Sequence, residues 1–224
     1  MPTILFIHGA GASTHSWRLI LDYLKNNFRV LLIDLPGHGF TKLGKKNRSS
    51  LECITQDLEM LLINQKINPS LIIGHSAGSA VALNLAVSKK IKIKGILSLN
   101  GALENFSGIA GLLYPFLAKV LALSPLTVPF FTSLYSSKSQ VEKFLNLTGS
   151  NISSEGILYY RKLISDKSHV EGTLAMMSQW NLNQLILRWK QIEIPVSLIV
   201  GENDHIVQNE DNFKASNDIP KAVY

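Results

Sequence analysis

Short apolar runs alternate with longer amphipathic stretches along this chain. Ile4-Leu5-Phe6-Ile7 ends in His8-Gly9, and Val30-Leu31-Leu32-Ile33 ends in Asp34-Leu35-Pro36-Gly37. Runs this short, rich in branched residues and without polar alternation, predict buried parallel strands. Between them, Ser16 to Asn26 places Trp17, Leu19, Ile20, Tyr23 and Leu24 at helical spacing, with Ser13 or Thr14 positioned to cap the first turn. Ser50 to Lys66 repeats that period through Leu51, Ile54, Leu58, Leu61 and Leu62, and Asn68-Pro69 breaks it before Leu71-Ile72-Ile73. A helix of small residues, Ala77 to Lys89, then leads to Gly95-Ile96-Leu97-Ser98-Leu99, and Val196 to Val200 follows Pro195 much later. Strands alternating with helices predict an α/β fold with a doubly wound, mostly parallel sheet.

The stretch from about 101 to 190 departs from this rhythm, being leucine-rich and interrupted by Pro115, Pro125 and Pro129. It reads as a helical insertion. Gly108 to Phe131 carries a single charge, Lys119, and approaches the roughly 20 apolar residues of a membrane span, but its prolines argue against a continuous helix. The expectation is a lid over an apolar pocket, with contact at a membrane surface as the alternative.

Composition narrows the class. The 224 residues suit one domain, read as 1–224 with the insertion inside it, and 46% apolar against 17% charged residues exclude a disordered chain. The net charge of +6 comes with lysine groups at 42–48 and 89–94, around which no nucleic-acid-binding motif stands, so nucleic acid is not an expected partner. Cys53 is the sole cysteine, which rules out an internal disulfide and a cysteine-based metal cluster and suits a reducing, cytoplasmic setting. The apolar run at the start is too short for a signal peptide and lacks a basic flank before it.

The chemistry centres on Gly74-His75-Ser76-Ala77-Gly78, a G-x-S-x-G run that follows one predicted strand and opens a predicted helix. A nucleophile elbow needs small residues two positions either side of the serine, because the tight strand-to-helix turn brings backbone against backbone and lifts the hydroxyl clear. Ser76 is therefore the candidate nucleophile. His8-Gly9-Ala10-Gly11 ends the first strand, where the Ala10 amide and the Ala77 amide form a candidate oxyanion hole. His8 reads as a loop-ordering group rather than a base, and His75 lies on the elbow itself, pointing away from Ser76. Asp204, in Gly201-Glu202-Asn203-Asp204-His205, is the candidate acid that would orient a catalytic imidazole, ahead of Glu202 and against the plainer reading of a loop cap. His169 in the insertion reads as structural or solvent-facing, and Trp17, Trp180 and Trp189 as core residues more than pocket walls.

HG, then D-x-P-G-x-G, then G-x-S-x-G, then G-x-x-D, in that order, resembles the α/β-hydrolase fold family across nearly the whole chain. Within it, the stretch 9–18, DLPGHGFT at 34–41, GHSAG at 74–78, SLNGAL at 98–103 and LAMMSQWNL at 174–182 resemble the magnesium-chelatase accessory proteins of bacteriochlorophyll biosynthesis. The resemblance implies a hydrolase of a small apolar ester or amide, with no metal or cofactor. The alternative it implies is an accessory protein that holds a porphyrin for the magnesium-chelatase subunits. It also implies a hairpin ahead of Ile4 and a catalytic histidine beyond Tyr224, with Lys221 to Tyr224 opening the strand that leads to it, so the chain reads as a fragment. His205, adjacent to Asp204, is poorly placed to serve instead.

Overall fold

The computed structural model describes residues 1–105, 124, 126–134 and 137–224. Six parallel strands form one sheet: β1 (Thr3–Ile7), β2 (Arg29–Ile33), β3 (Leu71–His75), β4 (Gly95–Leu99), β5 (Val196–Ile199) and β6 (Ala222–Val223), in the order β2-β1-β3-β4-β5-β6. The register pairs Ile4 with Val30 and Leu71, and Ile96 with Val196, so all strands run the same way and their C-terminal ends share one rim.

Helices close both faces. On one side, α2 (Leu51–Asn64) and α3 (Ala77–Ser88) bury Leu51, Ile54, Leu58, Val81 and Leu85 against Leu5, Ile72 and Ile96. α3 is buried nearly all round because its alanines let it lie close to the sheet, and its mixed pattern reflects that. Ser50 caps α2 by accepting from the Cys53 amide at 3.3 Å. On the other side, Trp17 packs on Phe6 with ring centroids 5.0 Å apart, next to Ile4 and Ile73.

Two expectations need correction. The helix expected over Ser16 to Asn26 is a 3-10 turn, Thr14–Trp17, followed by a short α1, Leu21–Leu24. Tertiary packing explains the break: Trp17 must turn onto Phe6 while Leu19 and Tyr23 stay exposed, so no single apolar stripe is buried. Ser13 stands at the N-cap of that turn without capping it, its hydroxyl meeting His15 Nδ1 at 2.8 Å instead.

Between β4 and β5 the described helices are α4 (Thr127–Leu134), α5 (Lys138–Asn146), α6 (Ser154–Ser165), α7 (Lys167–Gln179) and α8 (Asn183–Ile186). The expected apolar lid segment at 108–131 lies mostly outside the described residues. After β5 comes α9 (Asn209–Asp218) and then β6, the strand expected near Lys221 to Tyr224. No described helix is long and apolar enough to cross a membrane. Trp17 and Trp189 are core residues, and Trp180 packs half-buried against the larger core.

Candidate active site

Ser76 sits between β3 and α3 with φ 51° and ψ −120°, a conformation that costs an L-residue about 1–3 kcal/mol. The surroundings hold it there. Its amide donates to Leu99 O at 3.1 Å, and its carbonyl accepts from the Ser79 and Ala102 amides at 3.0 and 3.2 Å. Both flanking glycines are demanded by contact: a Cβ on Gly78 would fall on the Ile7 and His8 carbonyls, and one on Gly74 would meet the Gly78 carbonyl. The G-x-S-x-G spacing therefore matches a physical need, since α3 starts against the end of β1.

The loop after β1 lies against the same serine. A Cβ on Gly9 would stand 3.0 Å from Ser76 Cβ and 3.1 Å from His75 Nδ1. Neither the Ala10 amide nor the Ala77 amide has a hydrogen-bond acceptor among the described residues. Ala77 opens α3, so its N–H is one of the helix's unsatisfied donors and lies at the positive end of the helix dipole.

Asp204 lies in the loop after β5, partly buried. Its Oδ1 accepts from the Ile206 and Val207 amides at 2.7 and 2.9 Å, and its Oδ2 accepts from Asn100 Nδ2. The loop-cap role and a free lone pair coexist here, because a carboxylate has about four acceptor sites. Asn100 follows β4 with φ 45°, and its Oδ1 accepts from the Gly201 amide at 3.3 Å. It thus ties the ends of β4 and β5 together and holds the carboxylate. Sequence reading passed over Asn100; the available signal was an Asn immediately after a strand, a residue tolerant of positive φ. Glu202 is exposed.

The histidines divide by partner. His8 donates from Nδ1 to Gly9 O at 2.8 Å and accepts at Nε2 from the Leu35 amide at 3.0 Å, which dictates its neutral tautomer. Burial pushes its pKa down to about 4, against the partial support of the Gly9 bond and Asp34. His38 packs on it, ring centroids 5.3 Å apart, and burial together with His8 and His169 pushes His38 down to about 3. His169 of α7 lies edge-on to His38 at 5.2 Å, accepts from the Gly39 amide at 3.1 Å and donates to Gly11 O at 3.2 Å. His169 is therefore neither solvent-facing nor over Ser76; it joins α7 to the loops after β1 and β2. Gly172 lies so close to Gly37 that a Cβ on either would overlap the other's backbone. Asp34 accepts from the Thr14 amide at 2.8 Å and the Phe40 amide at 3.0 Å, binding the same two loops.

Burial lowers the His75 pKa, and the Asp204 charge partly offsets it, so His75 and Asp204 share one electrostatic neighbourhood. His205 is exposed and its amide donates to Thr148 O at 3.2 Å. Among the described residues no imidazole is hydrogen-bonded to Ser76, and no group of His, Cys, Asp or Glu could hold a metal ion. Ser76 and the adjoining Ala77 thus lie against the loop after β1 at Gly9, which precedes Ala10, while Asp204 stands on the loop after β5.

Residues 2–224 match the alpha/beta hydrolase fold family. Over 222 residues the chain is 38% identical to the magnesium-chelatase 30 kDa subunit of Rhodobacter capsulatus, covering 99% of this chain and 78% of that protein. It is 24% identical to a pimeloyl-[acyl-carrier protein] methyl ester esterase of Legionella pneumophila, over 96% of this chain and 84% of the esterase. Similar solved structures include an alpha/beta hydrolase fold protein from Burkholderia ambifaria, with TM-score 0.78, 21% identity and coverage of 99% and 82%. An esterase from Exiguobacterium antarcticum superposes with TM-score 0.77 at 12% identity, covering 100% and 82%.

Proposed function

Because the chain belongs to the α/β-hydrolase fold family, we propose that it is a serine-type hydrolase of a small apolar ester or amide, working with the magnesium-chelatase step of bacteriochlorophyll biosynthesis. The observation that carries this reading is Ser76, strained at φ 51° at the start of a helix whose Ala77 amide has no acceptor among the described residues, with Gly9 of the preceding loop packed on it. A carbonyl carbon brought to Ser76 Oγ would place its oxygen toward Ala10 N–H and Ala77 N–H. Each such donor is worth about 3–4 kcal/mol as negative charge develops. Asp204, held by Asn100, would orient the imidazole that takes the serine proton, and the family's chain order implies that this histidine follows β6. Proton transfer from Ser76 to that imidazole, attack on the carbonyl carbon, and return of the proton to the leaving group give an acyl-enzyme that water then cleaves. Helices α4 to α8 act as the lid over this site, within a single domain.

A fluorophosphonate probe applied to the full-length protein tests the assignment. Labelling at Ser76 that disappears in Ser76→Ala, with unchanged thermal unfolding, is expected. A protein that retains its biological role as Ser76→Ala overturns catalysis and favours a second reading, a porphyrin-holding accessory protein. The similarity to a magnesium-chelatase subunit supports that second reading. It requires saturable protoporphyrin fluorescence changes at micromolar concentration, and their absence would count against it.

A further inference from the structure

The rim opposite Ser76, formed by the N-terminal ends of the strands, gathers a series of exposed cations. Every turn that feeds β2 through β6 brings an exposed cation to it: Lys25, Lys66, Lys92 and Lys94, Lys190, and Lys221. These turns are distant in sequence, but main-chain bonds join them side by side. The Lys94 amide donates to Ser70 O at 3.0 Å, the Val196 amide to Lys221 O at 3.1 Å, and the Arg29 amide to Pro2 O at 3.0 Å. The acids nearby are largely engaged, Asp22 by Lys25, Glu59 by Lys90 and Glu193 by Lys89. Asp218, three residues before Lys221, adds a further carboxylate. Arg29, Lys66, Lys92, Lys94, Lys190 and Lys221 have no carboxylate partner among the described residues.

Apolar side chains stand among these cations. Met60 and Ile63, 58% and 52% exposed, occupy the last turns of α2, and the Lys90–Glu59 pair at 3.0 Å places the lysine run directly beside them. We propose that this rim docks on the headgroup layer of an anionic phospholipid bilayer, with Met60 and Ile63 entering its apolar margin and the active-site rim facing away. Two features favour a bilayer over an acidic protein. The cations are nearly all lysine, which is depleted from protein interfaces where arginine is enriched. Lysines spread over a broad rim suit the diffuse attraction of an anionic surface, which needs no paired geometry. The contact is peripheral, since no described helix can span, and it is independent of the chemistry proposed at Ser76.

Vesicle co-sedimentation of the full-length protein decides this, with phosphatidylcholine alone compared with phosphatidylcholine containing one-third phosphatidylglycerol. Binding is expected only to the anionic vesicles, falling steeply as salt rises. K66E/K92E/K94E/K221E should lose affinity by at least a hundredfold, on the order expected for reversing four surface lysines. The matched change at the other end, K42E/K45E/K138E/K143E, should alter it less than about threefold. M60S/I63S, which leaves the charge intact, should weaken binding about tenfold while preserving its salt dependence. Thermal unfolding of each variant separates lost binding from lost folding. Equal loss in both charge variants, binding indifferent to phosphatidylglycerol, or no vesicle binding at all overturns the inference. Capture by poly-glutamate without vesicle binding would move this rim to an acidic protein.

Discussion

At the C-terminal ends of the strands several polar side chains are turned onto the main chain of the surrounding loops. His8, Asp34, Asn100 and His169 each hold main-chain atoms of loops distant in sequence, and Asp204 braces its own loop while bonding the Asn100 side chain. At the N-terminal ends the polar groups are lysines that face water, several without a partner. One sheet thus separates two uses of polarity. Buried imidazoles and carboxylates position backbone, because an unmet polar atom in a dry interior costs about 1–3 kcal/mol. Exposed lysines position nothing and act only through summed charge at long range. Substitutions at the first rim should therefore damage fold or chemistry, while those at the second should change only what the surface attracts.

The strongest break in that contrast is Gly78→Val. A side chain there enters the Ile7 and His8 carbonyls, so loss of the folded protein is expected, with destabilisation above about 4 kcal/mol. A soluble variant with wild-type unfolding would mean that the elbow does not need this close approach. Next comes Ser76→Ala, expected to lower any esterase rate by at least about a thousandfold while leaving unfolding unchanged. Asn100→Ala removes the side chain that holds Asp204, and a fall of roughly tenfold to a hundredfold in the Ser76 labelling rate is expected with the fold retained, a smaller effect than Asp204→Asn itself. A labelling rate equal to wild type would detach Asp204 from the chemistry.

The smallest effect is on stability against pH. His8 and His38 have folded pKa values near 4 and 3, below the ordinary 6.5, so the unfolded chain binds more protons across that window. Their contribution is intact above about pH 6.5 and is lost as pH falls toward 3. Urea unfolding followed from pH 7 to pH 4 should show this decline, and His38→Gln should flatten it. A decline of unchanged steepness in that variant would assign the acid sensitivity elsewhere.

The strands and long helices were legible because their burial follows local period: continuous apolar runs for β1 to β5 and a helical stripe for α2. The elbow was legible because its requirement is local as well, small residues two places either side of Ser76. Where burial did not follow a single stripe, at Ser16 to Asn26, the pattern misled, since Trp17 answers to Phe6 across the sheet. Asp204 stood out as a candidate from a short run after β5, whereas its hold by Asn100 crosses 104 residues and left no local mark.

By itself, the sequence determined the alternation of strands and helices, the tight turn at Ser76 and the family, because each is written in neighbours along the chain. Tertiary structure alone decided that His169 ties α7 to two loops, that Asn100 steadies Asp204, and that lysines from separate turns form one basic rim. A parallel sheet makes the difference: it gathers every strand entrance at one end and every exit at the other, whatever the distance in sequence between them.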